Sequence, residues 1–207
     1  MRRDVLSLIV GWTMMAMILP LLFSFIITWW LDGFTLAFKS FMLPIFLSGI
    51  IGTLLLSVGV RSDTTERLRD REAFAAVALA WPVAVLIGSF PFWLGGVFHG
   101  PFTDGSTMID IARGFVNSWF ESMSGFTTTG ATVIEHRMSP NCIPGTTPDC
   151  INAQPQGILI WRSLTQWLGG MGIIMLGLML LSRVLGGGMA LARAELTGPS
   201  LSRLRPK

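Results

Sequence analysis

Charge is what this sequence has least of. Only 13% of its 207 residues are Asp, Glu, Lys or Arg, against 51% hydrophobic, and Val5 to Leu31 carries no charge at all. That balance excludes an ordinary soluble domain and places the chain in the membrane class. The formal net charge of +3 does not imply nucleic acid, because in a membrane protein the side on which each charge lies matters more than the total. Histidine is scarcer still, with His99 and His136 alone in the chain. There is no H-E-x-x-H, and no serine has an evident histidine partner in the same plane, which argues against an intramembrane enzyme. No nucleotide-binding fingerprint is present, so no organic cofactor is expected in this chain. The two cysteines, Cys142 and Cys150, enclose I-P-G-T-T-P-D; with no set of histidine ligands nearby they do not match a zinc pattern. They form either a disulfide in an oxidising compartment or two free thiols in a variable loop. His99 and His136 read as solitary surface residues.

What the sequence does have is hydrophobic length. Hydropathy draws four spans, Val5–Leu31, Phe41–Val60, Ala73–Val97 and Gly157–Ser182, with a shorter apolar segment between the third and fourth. The first span follows Arg2 and Arg3 like a signal peptide, but it is far longer than an h-region and no A-x-A site closes it. It reads as a retained span. Arg61, Arg67, Arg69 and Arg71 fall in the loop after the second span, which the positive-inside rule puts in the cytoplasm. Alternation then places Arg2 and Arg3 inside, the Trp30–Lys39 turn outside, residues 98–156 outside, and Arg183, Arg193, Arg203, Arg205 and Lys207 inside. Both termini are therefore expected in the cytoplasm. Trp29, Trp30, Trp93, Trp119 and Trp161 fall near the outer boundary, where aromatic belts form. Small residues at Ser48–Gly52 and Gly169–Gly172 allow close backbone approach, and the second cluster also suits local flexibility. The Gly-rich, basic tail ends abruptly at R-L-R-P-K, like a linker cut short.

The stretch Ser118–Val133, S-W-F-E-S-M-S-G-F-T-T-T-G-A-T-V, is the most telling. Phe115, Trp119, Phe120 and Met123 have helical spacing, and a helix over Ala112–Met123 is only ~18 Å long at 1.5 Å per residue, against a hydrocarbon core of ~30 Å. Such a helix enters a membrane without crossing it. The Thr127–Thr132 run after it is non-helical backbone at membrane depth, tolerated only where it is buried in protein or lines a water-filled path. Rings of backbone carbonyls replace the water shell of a potassium ion. Gly125 is suited to end the helix in a left-handed conformation, aiming the negative end of its dipole at a cation, and Gly130 frees the backbone so that carbonyls can point one way. Threonine hydroxyls add further oxygen donors for a hard cation. Arg162, inside the fourth span, is costly unless paired or near an interface. It either pairs with Glu121 and braces the loop from behind or snorkels to the outer headgroups.

F-E-S-M-S-G-F-T-T-T-G-A-T-V followed by I-L-I-W-R-S-L-T-Q-W-L-G-G-M-G-I-I resembles the first membrane–pore–membrane repeat of the Trk/Ktr/HKT superfamily of potassium uptake proteins, and within it the bacterial Trk-type potassium-translocating subunits. The resemblance implies an all-α integral membrane fold with four transmembrane helices plus one re-entrant pore helix and filter loop. Residues 1–72 would hold two additional helices and a cytoplasmic loop, 73–182 the repeat, and 183–207 a cytoplasmic linker. It carries the filter onto Thr128, Thr129, Gly130 and Ala131, with potassium, the transported ion, at Thr128, Thr129 and Gly130. Four such repeats surround one pore in this superfamily, so the chain is expected to be the amino-terminal part of a longer protein. The further expectations are a bacterial inner-membrane location, ion-motive symport or channel-like conduction, a cytoplasmic nucleotide-binding regulatory subunit and a full-length homodimer. Two other classes stay open: a non-conducting membrane interaction or assembly protein, and a homotetrameric cation channel subunit, although T-T-G-A stands where such channels carry T-V-G-Y-G.

Overall fold

A computed structural model describes residues 3–60 and 70–184, and these are all-helical: α1 (Arg3–Asp32), α2 (Phe34–Val60), α3 (Asp70–Leu94), α4 (Met108–Phe126) and α5 (Gln156–Val184). Among the described residues three helices are long and apolar enough to cross a membrane, over Asp4–Asp32, Phe34–Gly59 and Val77–Leu94. The fourth expected span, α5, is 29 residues long but is not one of these three. Its first half carries Arg162, Ser163, Thr165 and Gln166, of which Thr165 is buried and Ser163 exposed. Arg2, Arg61, Arg67, Arg69, Arg193, Arg203, Arg205 and Lys207, on which the expected orientation rests, lie outside the described residues, as does the tail from 185.

The first two helices form an antiparallel hairpin with a single residue between them. Gly33 takes a positive φ of 97° and donates to the Thr28 carbonyl at 3.1 Å, reversing the chain at once. The expected turn over Trp30–Lys39 is therefore corrected: the helix resumes at Phe34, and Lys39 lies inside it. Glycines fit the pair together. A Cβ at Gly52 would press on Met15, and one at Gly59 on Leu8, so these positions act as the small residues of a close helix crossing.

The core lies where α1 and α2 meet α3 and α5. Leu21, Phe41, Val85, Phe92 and Trp161 are all fully buried, with the Phe41 and Trp161 rings edge to face at 6.1 Å. Trp161 also donates its indole N–H to the Gly88 carbonyl of α3 at 3.0 Å. This corrects the expectation that Trp161 belongs to an aromatic belt: its polar tip is satisfied by protein, as buried tryptophans require. Trp29 and Trp30, by contrast, are exposed. Trp93 and Trp119 pack with Phe90 and Phe115 in an aromatic cluster.

Candidate functional site

α4 has 19 residues, longer than the dozen expected and about 28 Å at 1.5 Å per residue. The missed first turn is apolar except for Asp110, and it is closed by a capping box: Thr107 accepts from the Asp110 N–H at 3.3 Å, and the Asp110 carboxylate accepts from the Thr107 N–H at 3.1 Å. The side-chain and backbone hydrogen bonds from Thr107 hold the exposed Asp110 carboxyl below its ordinary value. What sets α4 apart from the spans is its polarity, not its length. Gly114, Ser118, Glu121, Ser122 and Gly125 form its buried stripe, while Met108, Ile109, Val116 and Phe120 face outward. The helix is polar inside and apolar outside. Its Ser122 hydroxyl donates to the Val85 carbonyl of α3 at 2.7 Å, tying the two helices together.

The carboxyl end of α4 is finished by two hydrogen bonds. Thr129 N–H donates to the Ser124 carbonyl at 3.0 Å, and Thr128 N–H to the Gly125 carbonyl at 2.9 Å, the pairing of a Schellman motif. The left-handed residue in that motif is Thr128, with φ of 55°. This corrects the role given to Gly125. Gly125 stays helical and is needed for approach, because a Cβ there would run into the Thr165 side chain of α5. Gly169 does the same from the other side, since a Cβ on it would collide with the Phe126 backbone. Within the Gly169–Gly172 cluster, Gly169 thus packs α5 against the end of α4, while Gly172 makes room for Trp81 of α3. A β-branched residue with positive φ is unusual, and such strain persists only where surrounding contacts enforce it. Gly130, two residues on, has φ of 74°.

Glu121 is the centre of those contacts. Its carboxylate is fully buried and accepts from the Thr132 hydroxyl at 2.6 Å, from the Val133 N–H at 2.7 Å and from Arg162 Nε at 3.2 Å. Arg162 in turn reaches the Gly130 carbonyl with Nη2 at 3.4 Å, and the Ser124 hydroxyl donates to the Ala131 carbonyl at 2.6 Å. A buried carboxylate needs this degree of pairing to be tolerated. The result is a loop grasped along one side from Gly130 to Val133. Residues 127–132 are exposed, and among the described residues no hydrogen bond reaches the carbonyls of Thr128 and Thr129. Of the four residues assigned to the filter, Thr128 and Thr129 thus keep their carbonyls free, whereas those of Gly130 and Ala131 each already accept one bond. Ser124, Thr132 and the Val133 N–H escaped the reading of the sequence. The i, i+3, i+4, i+7 stripe of Ser118, Glu121, Ser122 and Gly125 is the signal that marks the inward face.

The loop after Val133 is pinned by side chains. Gln154 donates to the Ser139 hydroxyl at 2.9 Å, and Asn141 donates to the Gly96 carbonyl at 3.1 Å. Cys142 and Cys150 are joined as a disulfide. His136 is not solitary: its Nδ1 lies 3.1 Å from the Cys142 sulfur and 3.7 Å from that of Cys150. The three ligand atoms sit within 4.8 Å of one another, but sulfurs bonded to each other are not thiolate ligands. His99 has a partner too, the Ser106 hydroxyl at 3.1 Å.

No family model matches the chain, and no solved structure matches it significantly. Curated relatives do. The chain is 34% identical, over 98% of its length, to the Trk system potassium uptake protein TrkH of Halomonas elongata, of which it covers 35%. It is 33% identical over 92% of its length to the TrkH protein of Salmonella typhimurium, covering 32% of it. An uncharacterised cation transporter of Methanocaldococcus jannaschii is 33% identical over 70% of this chain and is covered to 24%. The chain thus spans about a third of the length of the first two relatives. With three helices apolar enough to cross a membrane and this similarity along nearly its whole length, the chain is a multi-pass membrane protein that matches, at the level of family, the Trk-type potassium uptake proteins.

Proposed function

We propose that this chain carries potassium across the bacterial inner membrane as one part of a Trk-type uptake protein, supplying one of four filter loops around a shared pore. The role is transport rather than catalysis. One observation carries the reading: a polar-faced helix ends in an exposed loop whose Thr128 and Thr129 carbonyls are unengaged, while its other edge is held by Glu121, Ser124 and Arg162. Such backbone is tolerable at membrane depth only beside protein or a water-filled path, and carbonyl oxygens suit a partly dehydrated potassium ion. Thr128 and Thr129 contribute the oxygens, Gly130 permits the turn, and the Glu121–Arg162 pair braces the loop. Gly130 and Ala131 use one lone pair of each carbonyl in that bracing and keep the second for the ion or water.

One loop offers a quarter of each carbonyl ring. The remaining loops come from further repeats of the same polypeptide, in keeping with relatives about three times as long. In this arrangement α1 and α2 are the two additional helices, α3 and α5 the spans of the repeat, and α4 its re-entrant pore helix. The termini lie in the cytoplasm, as the clustering of arginines favours. The family resemblance supports two partners, a nucleotide-binding cytoplasmic subunit and a second copy of the full-length protein.

The test is potassium uptake in a cell lacking its own uptake systems, comparing this chain with the longest reading frame that contains it, and Gly130→Ser in each. Uptake from the longer form alone, impaired by Gly130→Ser, supports a shared filter. Uptake from the 207-residue chain itself, sensitive to the same change, would replace it with a homotetrameric channel. Uptake indifferent to Gly130 would remove the loop from the pathway.

A further inference from the structure

The outer end of α4 carries two hollows with no part in bracing the loop. One, of about 240 Å³, is lined by His99, Asp110, Arg113, Asn117 and Arg137. The other, of about 620 Å³, is an apolar groove along Met108, Ile109, Ala112 and Val116. They are continuous, because Arg113, Asn117 and Met138 line both. Among the described residues neither Arg113 nor Arg137 forms an ion pair. Asp110, the one carboxylate in the hollow, already accepts the hydroxyl and N–H of Thr107. The groove is open, with Met108 83% and Val116 65% exposed.

We propose that this pair of hollows binds an anionic phospholipid of the outer leaflet, its phosphate between Arg113 and Arg137 and an acyl chain along Met108, Ile109 and Val116. Charge complementarity selects this occupant: two guanidiniums at the head of an apolar groove match an amphiphile that is negative at one end and hydrocarbon at the other. A zwitterionic lipid satisfies the groove but brings its own cation to the arginines. A free phosphate satisfies the arginines and leaves the groove wet. The bound lipid covers apolar surface that α4 exposes because its inner face is committed to polar contacts, and so it steadies the helix that carries the filter loop. The inference rests on the membrane depth assigned to α4 above.

The test uses the longest reading frame containing this chain, purified in neutral detergent and stripped of lipid. Phosphatidylglycerol, phosphatidylcholine of the same acyl chains, and inorganic phosphate are added separately, with retention read by native mass spectrometry and unfolding by a thermal shift. Phosphatidylglycerol is expected to bind about tenfold or more tightly than phosphatidylcholine, at roughly 1 kcal/mol per basic residue. Arg113→Gln/Arg137→Gln should abolish that preference, and Ile109→Asn/Val116→Asn should weaken both lipids while leaving phosphate unaffected. An undiminished preference in the arginine variant overturns the site. So does a phosphate shift equal to that of phosphatidylglycerol, which would make it a free-anion site. Met108→Cys shielded from a bulky maleimide in the stripped protein would mean that other protein covers the groove, and also overturns the proposal. The Gly130→Ser uptake assay reports separately on the transport reading, so either can fail alone.

Discussion

Asp32, the last residue of α1, accepts the backbone N–H of Gly157 at 2.6 Å and that of Gln156 at 3.1 Å. The first turn of α5 is therefore capped from a residue 124 positions before it. A carboxylate at a helix amino end satisfies free N–H groups and complements the dipole, and here it also fixes where α5 starts relative to the α1–α2 hairpin. A Cβ at Gly157 would collide with Thr28, so the approach needs both the acid and the glycine. Asp32→Ala should cost about 1 kcal/mol, read as a lower unfolding temperature in detergent. Asp32→Asn, which keeps one acceptor, should lose less.

Removing one member of the Glu121–Arg162 pair should be far more damaging. Arg162→Gln leaves a buried carboxylate without its counter-charge, at a cost of about 3–5 kcal/mol. Glu121→Gln should be milder, because an amide oxygen can still accept from Thr132 and Val133. A thermal-unfolding double-mutant cycle measures the coupling. If Arg162→Gln and Glu121→Gln simply add, the two residues do not act together.

Thr128 stands where a Schellman motif ordinarily takes glycine. Thr128→Gly should stabilise the folded chain by about 1 kcal/mol by relieving the left-handed conformation, while leaving potassium uptake no faster. Loss of stability on this change would show that the threonine side chain contributes more than its backbone costs.

Gly125 and Thr165 are in close contact across α4 and α5. Gly125→Ala should destabilise by about 1–3 kcal/mol through overpacking. Thr165→Ala removes the hydroxyl that the new methyl meets first and should recover part of the loss. Circular dichroism melts of the two single variants and the double variant give the comparison.

The Cys142–Cys150 disulfide closes a short loop. Cys142→Ala/Cys150→Ala should lower stability by about 2–3 kcal/mol, with hydrogen exchange increasing in residues 136–154 and not in α1 or α2. A global rise in exchange would mean that this loop organises more of the fold than its contacts indicate.

Hydropathy made α1, most of α2 and α3 legible, because long uncharged runs have few alternatives to a membrane helix. It misplaced the start of α2, since Lys39 and Ser40 interrupt the apolar run that the helix simply continues through. It missed the first turn of α4 as well, where Asp110 interrupts the apolar residues Met108, Ile109 and Ile111. Glu121 and Arg162 stand out as charges in apolar surroundings, but nothing local announces Thr132, Val133 and Gly130 as their other partners. The Asp32 cap was illegible because its partners are remote in sequence. Gly125 was read through backbone freedom when its task is to make room, and only a neighbour such as Thr165 reveals that.

The inward polarity of α4 also bears on how the chain is made. Glu121 has no counter-charge until Arg162, 41 residues later, has left the ribosome, and the space beside Phe126 is not closed until Gly169 arrives. On the proposed reading of α4 as a re-entrant pore helix, it would have to wait at the membrane surface or in the translocation machinery while the outer loop and α5 are synthesised. Its entry into the bilayer would be a late event, coupled to the helix that follows it.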